Sequence, residues 1–93
     1  MRRVAVTGLG IICPIGNSTQ TVTAALHDAR SGITTAPDYQ RMGFRSQVEG
    51  NPKVDLDATI DRRARRFMGD GAAYNFLAMQ QAIADSGLEE KDI

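Results

Sequence analysis

Long apolar runs, cysteine, histidine and an excess of charge of either sign are all scarce in this 93-residue chain, and each scarcity removes a class of protein. No run approaches the roughly 20 apolar residues that span a bilayer. Met1-Arg2-Arg3 leads into only four residues before Gly8, too short and interrupted for the apolar part of a signal peptide. One cysteine, Cys13, excludes an intrachain disulfide and gives no sign of an oxidising compartment, so a cytoplasmic protein is the default. One Cys and one His, His27, are too few for a convincing zinc site. Eleven basic residues balance eleven acidic ones, so no global field favours nucleic acid or an acidic membrane. Length allows one small domain with a thin core, while 42% apolar residues argue for a globular chain over a disordered one.

What is present begins with Arg3 to Ser18, RVAVTGLGIICPIGNS. Val4-Ala5-Val6-Thr7 reads as a buried strand over residues 3 to 8, followed by a Gly-rich turn and a helix. Asn17 or Ser18 supplies the N-cap. The helix is predicted over residues 19 to 30, with Val22, Ala25, Leu26 and Ala29 on its inner face and Ser31-Gly32 ending it. Ile33 to Thr35 reads as a short extended piece stopped by Pro37-Asp38. Residues 38 to 55 read as irregular, with a short strand near Ser46 to Glu49. A short helix is predicted from Asp57 or Asp61 to Met68, and a longer one from Gly71 to Ser86, capped by Gly87. The latter has Phe76, Leu77, Gln80, Ile83 and Ala84 on one face. A polar exit leads on to Ile93. Neither an internal repeat nor a low-complexity segment is found. The chain thus holds one convincing buried strand without a parallel partner, which points to the opening piece of a larger α/β protein. The isolated 93 residues are expected to be marginally stable or aggregation-prone, with both edges of that strand exposed.

Three motifs could carry chemistry. Gly8-x-Gly10-x-x-Cys13 follows a strand as a dinucleotide loop does. Its third glycine is missing, Pro14 and Ile15 occupy the expected helix start, and neither Asp28 nor Asp38 ends a second strand. A tight turn allowing strand and helix to pack closely accounts for it better. Cys13 between Ile12 and Pro14 reads as a buried inert thiol, since no spacing aims His27 at it and a catalytic thiol needs an activating neighbour. His27 reads as a solvated helix residue.

The third motif is basic. Arg62, Arg63, Arg65 and Arg66 fall within five residues, after Asp61 and before Phe67-Met68. On a helix Arg62 and Arg66 share a face, with Arg63 close to Arg66. Such a face favours a phosphate or an acidic protein surface. The alternative is a solvated helix face, with some of the arginines paired to Asp57, Asp61 or Asp70. Nucleic acid is disfavoured because no aromatic residues interleave the cluster.

Taken together, RRVAVTGLGIICPIGNS at 2–18, RSGIT at 30–34, IDRRARRFMGD at 60–70 and AMQQAIADSGL at 78–88 resemble the N-terminal part of the β-ketoacyl-acyl-carrier-protein synthases, the condensing enzymes of fatty-acid synthesis. GFRSQVEGN at 43–51 with DRRARRFM is more similar to the bacterial type I branch than to type II. The resemblance covers essentially the whole chain. It implies an α/β, thiolase-like fold, layered αβαβα in the complete protein, of which residues 1–93 are an incomplete N-terminal part. It also implies a cytoplasmic homodimer that joins an acyl thioester on an active-site cysteine to malonyl-carrier protein, without a cofactor or metal. Two histidines assist that cysteine, and the set lies beyond residue 93 in the family. Cys13 and His27 are not its equivalents, so no catalytic residue is expected in this chain, and the chain by itself is expected to be inactive. The same resemblance implies that Arg62, Arg63 and Arg66, helped by Arg45, dock the acidic acyl carrier protein. Family members often carry lysine at the position of Arg63, which keeps the charge but changes the hydrogen-bond geometry. Two other readings are a self-standing, non-catalytic protein that binds an acidic partner through the Arg62–Arg66 helix, and a piece of a nucleotide-binding domain.

Overall fold

Local capping and close backbone approaches, more than extended sheet, organise the computed structural model, which describes residues 1–93. The chain divides into two units: residues 13–53, and residues 1–12 together with 54–93. No helix is long and apolar enough to cross a membrane.

In the unit of residues 13–53, Cys13 and Gly16 exchange both backbone hydrogen bonds, at 3.0 and 3.1 Å, closing a tight turn around Pro14 and Ile15. Proline suits such a corner because its φ is already fixed. Ser18 then caps α1 (Thr19–His27), its hydroxyl accepting from the Thr21 amide at 3.2 Å. Helix α1 ends before the Ser31-Gly32 stop expected from sequence. The Arg30 amide reaches the Ala25 carbonyl at 2.9 Å and the Ala29 amide reaches Leu26 at 3.2 Å. This closure needs a left-handed residue at Ala29, whose φ is +52°. Val22 and Ala25 are buried as expected, but Leu26 is 68% exposed.

Strands β1 (Ile33–Thr35) and β2 (Val48–Gly50) form an antiparallel ribbon in which Thr34 lies opposite Glu49. Both were legible as extended segments. Between them α2 (Pro37–Arg41) replaces part of the expected irregular stretch. Pro37 sits in its first turn, where the missing amide costs nothing, so it starts a helix as well as stopping a strand. Gly43, at φ +71°, closes α2 with the same hydrogen-bond pattern that Ala29 gives α1: Phe44 N–H to the Tyr39 carbonyl and Gly43 N–H to that of Gln40.

In the other unit, residues 3 to 8 do not form the expected strand. The only ladder in the chain is β1–β2, in which this run takes no part, and Val4 and Val6 are exposed. The next residues are held by helix α5 (Asp70–Ser86). The Leu9 amide donates to the Asp85 carboxylate and the Ile11 amide to Gln81 Oε1, each at 3.0 Å. Gly8 and Gly10 lie directly on the helix backbone. A Cβ on Gly10 would stand 1.9 Å from the Ala78 carbonyl oxygen, and one on Gly8 would stand 2.2 Å from that of Ala82. The glycines do serve close packing, but against a helix some 70 residues later in the chain.

Asp55 caps α3 (Leu56–Thr59) through its carboxylate and the Ala58 amide. A second short helix, α4 (Arg62–Arg65), comes next, where one helix was expected. Ile60 between them is extended, with φ −108° and ψ 139°. A continuous helix turns about 40° past a full turn every four residues, which would carry positions 56, 60, 64 and 68 progressively around its axis. The break keeps all four inward. Leu56 and Ile60 join Ala73 and Leu77 of α5 in the buried core, and Ala64 and Met68 pack against that cluster. The inner face of α5 therefore includes Ala73 and Leu77, and Ile83, expected inside, is exposed. Gly87, at φ +71°, ends α5 as expected, and a single 3₁₀ turn (Glu90–Asp92) closes the chain.

Two substitutions test this account. Gly10→Ala should destabilise the protein by about 1–3 kcal/mol, because the clash is with helix backbone and not with a movable side chain; denaturant unfolding measures it. Ala29→Gly should stabilise by about 0.5–1 kcal/mol by relieving the left-handed alanine. A loss of stability at Ala29→Gly would contradict the assigned helix end.

Candidate functional site

The four arginines of residues 62–66 lie on a helix too short to sustain itself, since the first turn of a helix is a costly nucleus. The Asp61 side chain makes no cap hydrogen bond. Helix α4 is held instead from below, by Ala64 and Met68 against the core, and from the side, by Arg65. At about 100° per residue, Arg62, Arg66 and Arg63 fall within a sector of roughly 100°, Ala64 lies nearly opposite, and Arg65 lies to one flank.

The side chains follow that geometry. Arg62, Arg63 and Arg66 are exposed, and none of them makes an ion pair. The Arg66 guanidinium lies 4.7 Å from the centroid of the Phe67 ring, a cation–π contact. Phe67 is itself 80% exposed, an aromatic surface beside the charges that the sequence reading did not single out. Its position immediately after the last arginine was the available signal.

Arg65 behaves differently. Its side chain is 21% exposed and lies between two acids, with Nη2 2.8 Å from an Asp70 oxygen and Nε 3.4 Å from one of Asp57. Its remaining terminal nitrogen donates to the Met68 carbonyl. The expected pairing of some arginines with Asp57 or Asp70 is thus met by Arg65. The other three guanidinium groups are left as an uncompensated positive face. Arg45 belongs to the other unit, where it is exposed between α2 and β2 and makes no ion pair.

The remaining candidates assemble no reactive centre. Cys13 is half-buried at its turn, less enclosed than the buried thiol expected, while His27 is exposed on α1 as expected. A cavity of about 370 Å³ in the unit of residues 13–53 is lined by Cys13, Pro14, Asn17, Arg30 and Lys53 among others, and His27 does not line it. The Gly8-x-Gly10 segment also lacks what a phosphate loop offers. Such a loop presents free backbone amides to the anion, whereas the Leu9 and Ile11 amides are already taken by Asp85 and Gln81.

The glycine segment thus packs on a helix, and the arginine helix faces solvent. Residues 1–93 match the family described as beta-ketoacyl synthase, N-terminal domain, and the chain belongs to that family. It is 51% identical over 88 residues to 3-oxoacyl-(acyl-carrier-protein) synthase 1 of Escherichia coli (strain K12), covering 95% of this chain and 22% of that protein. It is 46% identical over 93 residues to the synthase 1 of Haemophilus influenzae, covering the whole of this chain and 23% of the relative. Identity to the synthase 2 of Vibrio harveyi is 36% over 90 residues, covering 95% of this chain and 21% of that protein. The chain therefore spans less than a quarter of the length of these curated relatives. The higher identities to the synthase 1 proteins agree with the similarity to the type I branch read from residues 43–51 and 61–68.

Proposed function

We propose that this chain is the opening part of a 3-oxoacyl-acyl-carrier-protein synthase. In the complete protein it forms part of a layered, thiolase-like αβαβα fold. That protein is a cytoplasmic homodimeric acyltransferase of fatty-acid elongation, which condenses an acyl thioester with malonyl-acyl-carrier protein. The reacting thiolate and its two assisting histidines belong to the rest of the enzyme. What residues 1–93 contribute is structure and a docking surface for the carrier protein.

The observation that carries this reading is the division of labour within one arginine cluster. Arg65 is turned inward and compensated by acids, while Arg62, Arg63 and Arg66 face solvent without a carboxylate partner. Guanidinium groups are weakly hydrated and present planar, forked donors, so they suit repeated association with the carboxylates of an acidic protein. Arg45 adds to the same docking role. Exposed charges of this kind raise the rate of encounter and select for partners of opposite sign.

In a full-length synthase carrying this segment, Arg62→Glu combined with Arg66→Glu should weaken carrier-protein binding about tenfold or more at low salt. It should also flatten the dependence of binding on salt, because screening then has less attraction to remove. Titration at several ionic strengths measures both effects. Affinity unchanged at low salt would overturn the docking role.

A further inference from the structure

We propose that Arg65 is a positioning residue for this arginine face, acting through the ion pairs that tie α4 to its neighbours and not by touching the partner. The inference rests on the docking role of Arg62, Arg63 and Arg66, and adds to it the device that keeps those three pointed outward together.

The geometry is that of a three-way tie. Asp57 lies on α3, Asp70 is the first residue of α5, and the Met68 carbonyl belongs to the link between α4 and α5. Arg65 reaches all three with separate nitrogens of one rigid, planar group. Its Nε is buried without a hydrogen-bond partner, and the Asp57 carboxylate 3.4 Å away is the charge that compensates it. Few other constraints set the rotation of α4 about its own axis. The helix has one turn, no side-chain cap at Asp61, and rests on the core through Ala64 and, just beyond its end, Met68. Releasing the Arg65 tie removes the lateral constraint and lets α4 roll on that base. Rolling by half the angle between adjacent residues, about 50°, brings one of Arg62 and Arg63 to the outward direction and turns the other to about 100° from it, on the flank. A docking surface of several charges works by presenting them together in one direction, and loses when that direction is no longer fixed before binding.

Removing the acids separates positioning from simple charge. Asp57 and Asp70 side chains are 87% and 71% exposed, so Asp57→Asn with Asp70→Asn leaves the core untouched while making the region more positive. If charge alone mattered, this variant would bind an acidic carrier more tightly. Positioning predicts the opposite. In the full-length synthase its KM for a carrier-linked acyl substrate should rise about three- to tenfold, with kcat within about twofold and KM for a pantetheine thioester unchanged. Arg65→Met, which keeps the apolar stem, should show the same pattern, with partial recovery in Arg65→Lys. The Arg62→Glu, Arg66→Glu variant serves as reference. An unchanged or lower KM in the Asp variant, with the reference variant impaired, would overturn the role of Arg65 alone. A KM for the pantetheine thioester that rises in step would also overturn it, as a general loss of structure. A reference variant with unaltered KM would overturn the docking reading itself.

Discussion

The distance at which backbone can approach α5 sets much of what surrounds it. Gly8 and Gly10 lie where any side chain would enter the carbonyl oxygens of Ala82 and Ala78. This closeness lets Gln81 and Asp85 reach back to the amides of Ile11 and Leu9. Those two side chains stand in for a neighbouring strand. They satisfy donors that would otherwise need a ladder, and they fix the N-terminal segment in register on the helix. The inner face of α5 is likewise built from a small residue beside a large one. Ala73, fully buried, and Leu77 receive Leu56 and Ile60. Small residues admit close approach and the leucine fills the space beside them, which is how a thin core reaches adequate packing.

The arginine face is a consequence of how that core is entered. Leu56, Ile60, Ala64 and Met68 recur every four residues, a set that a straight helix would fan over about 120° of its surface. Breaking it at Ile60 solves the packing problem and creates α4, a single turn whose outward positions are all arginine. Charge then sorts by angle. The residue on the flank meets acids from two other helices, and the three on the outer side meet no acid. The same four residues therefore supply both an anchor and an exposed field. The exposed Phe67 adds apolar area next to that field, so the surface is amphipathic rather than merely basic.

Much of this was legible in the sequence, for identifiable reasons. The span of α5 followed from its apolar spacing and from Gly87, and the start of α1 from Ser18. Inward-facing Val22 and Ala25, and the short extended pieces near 33–35 and 46–49, were also readable. The type of the arginine cluster, and its two possible fates, could be stated from composition and spacing alone. Other features could not be read because they depend on partners far away in the chain. A β-branched run at residues 3 to 8 signals a strand, but a strand needs a ladder partner, and this run has none. The glycines at 8 and 10 signal close approach without naming what is approached. Ala29 in a left-handed conformation defies the usual preference for glycine, so α1 ends where no sequence signal marks it. The break at Ile60 falls within a four-residue apolar period that looks helical over any short window. Which arginine would be paired was likewise decided by Asp57 and Asp70, brought to one place by the break itself.

The central claim is that the outer side of α4 is the surface an acidic carrier protein covers. Amide hydrogen exchange of a full-length synthase, with and without acyl carrier protein at low salt, reads it directly. The amides of Arg65, Arg66, Phe67 and Met68, each hydrogen-bonded to a carbonyl within residues 61–65, report on this turn. Exchange at these four amides should slow on binding, and the slowing should diminish as salt is raised. Carrier binding that protects other segments and leaves these four amides unchanged would contradict the account.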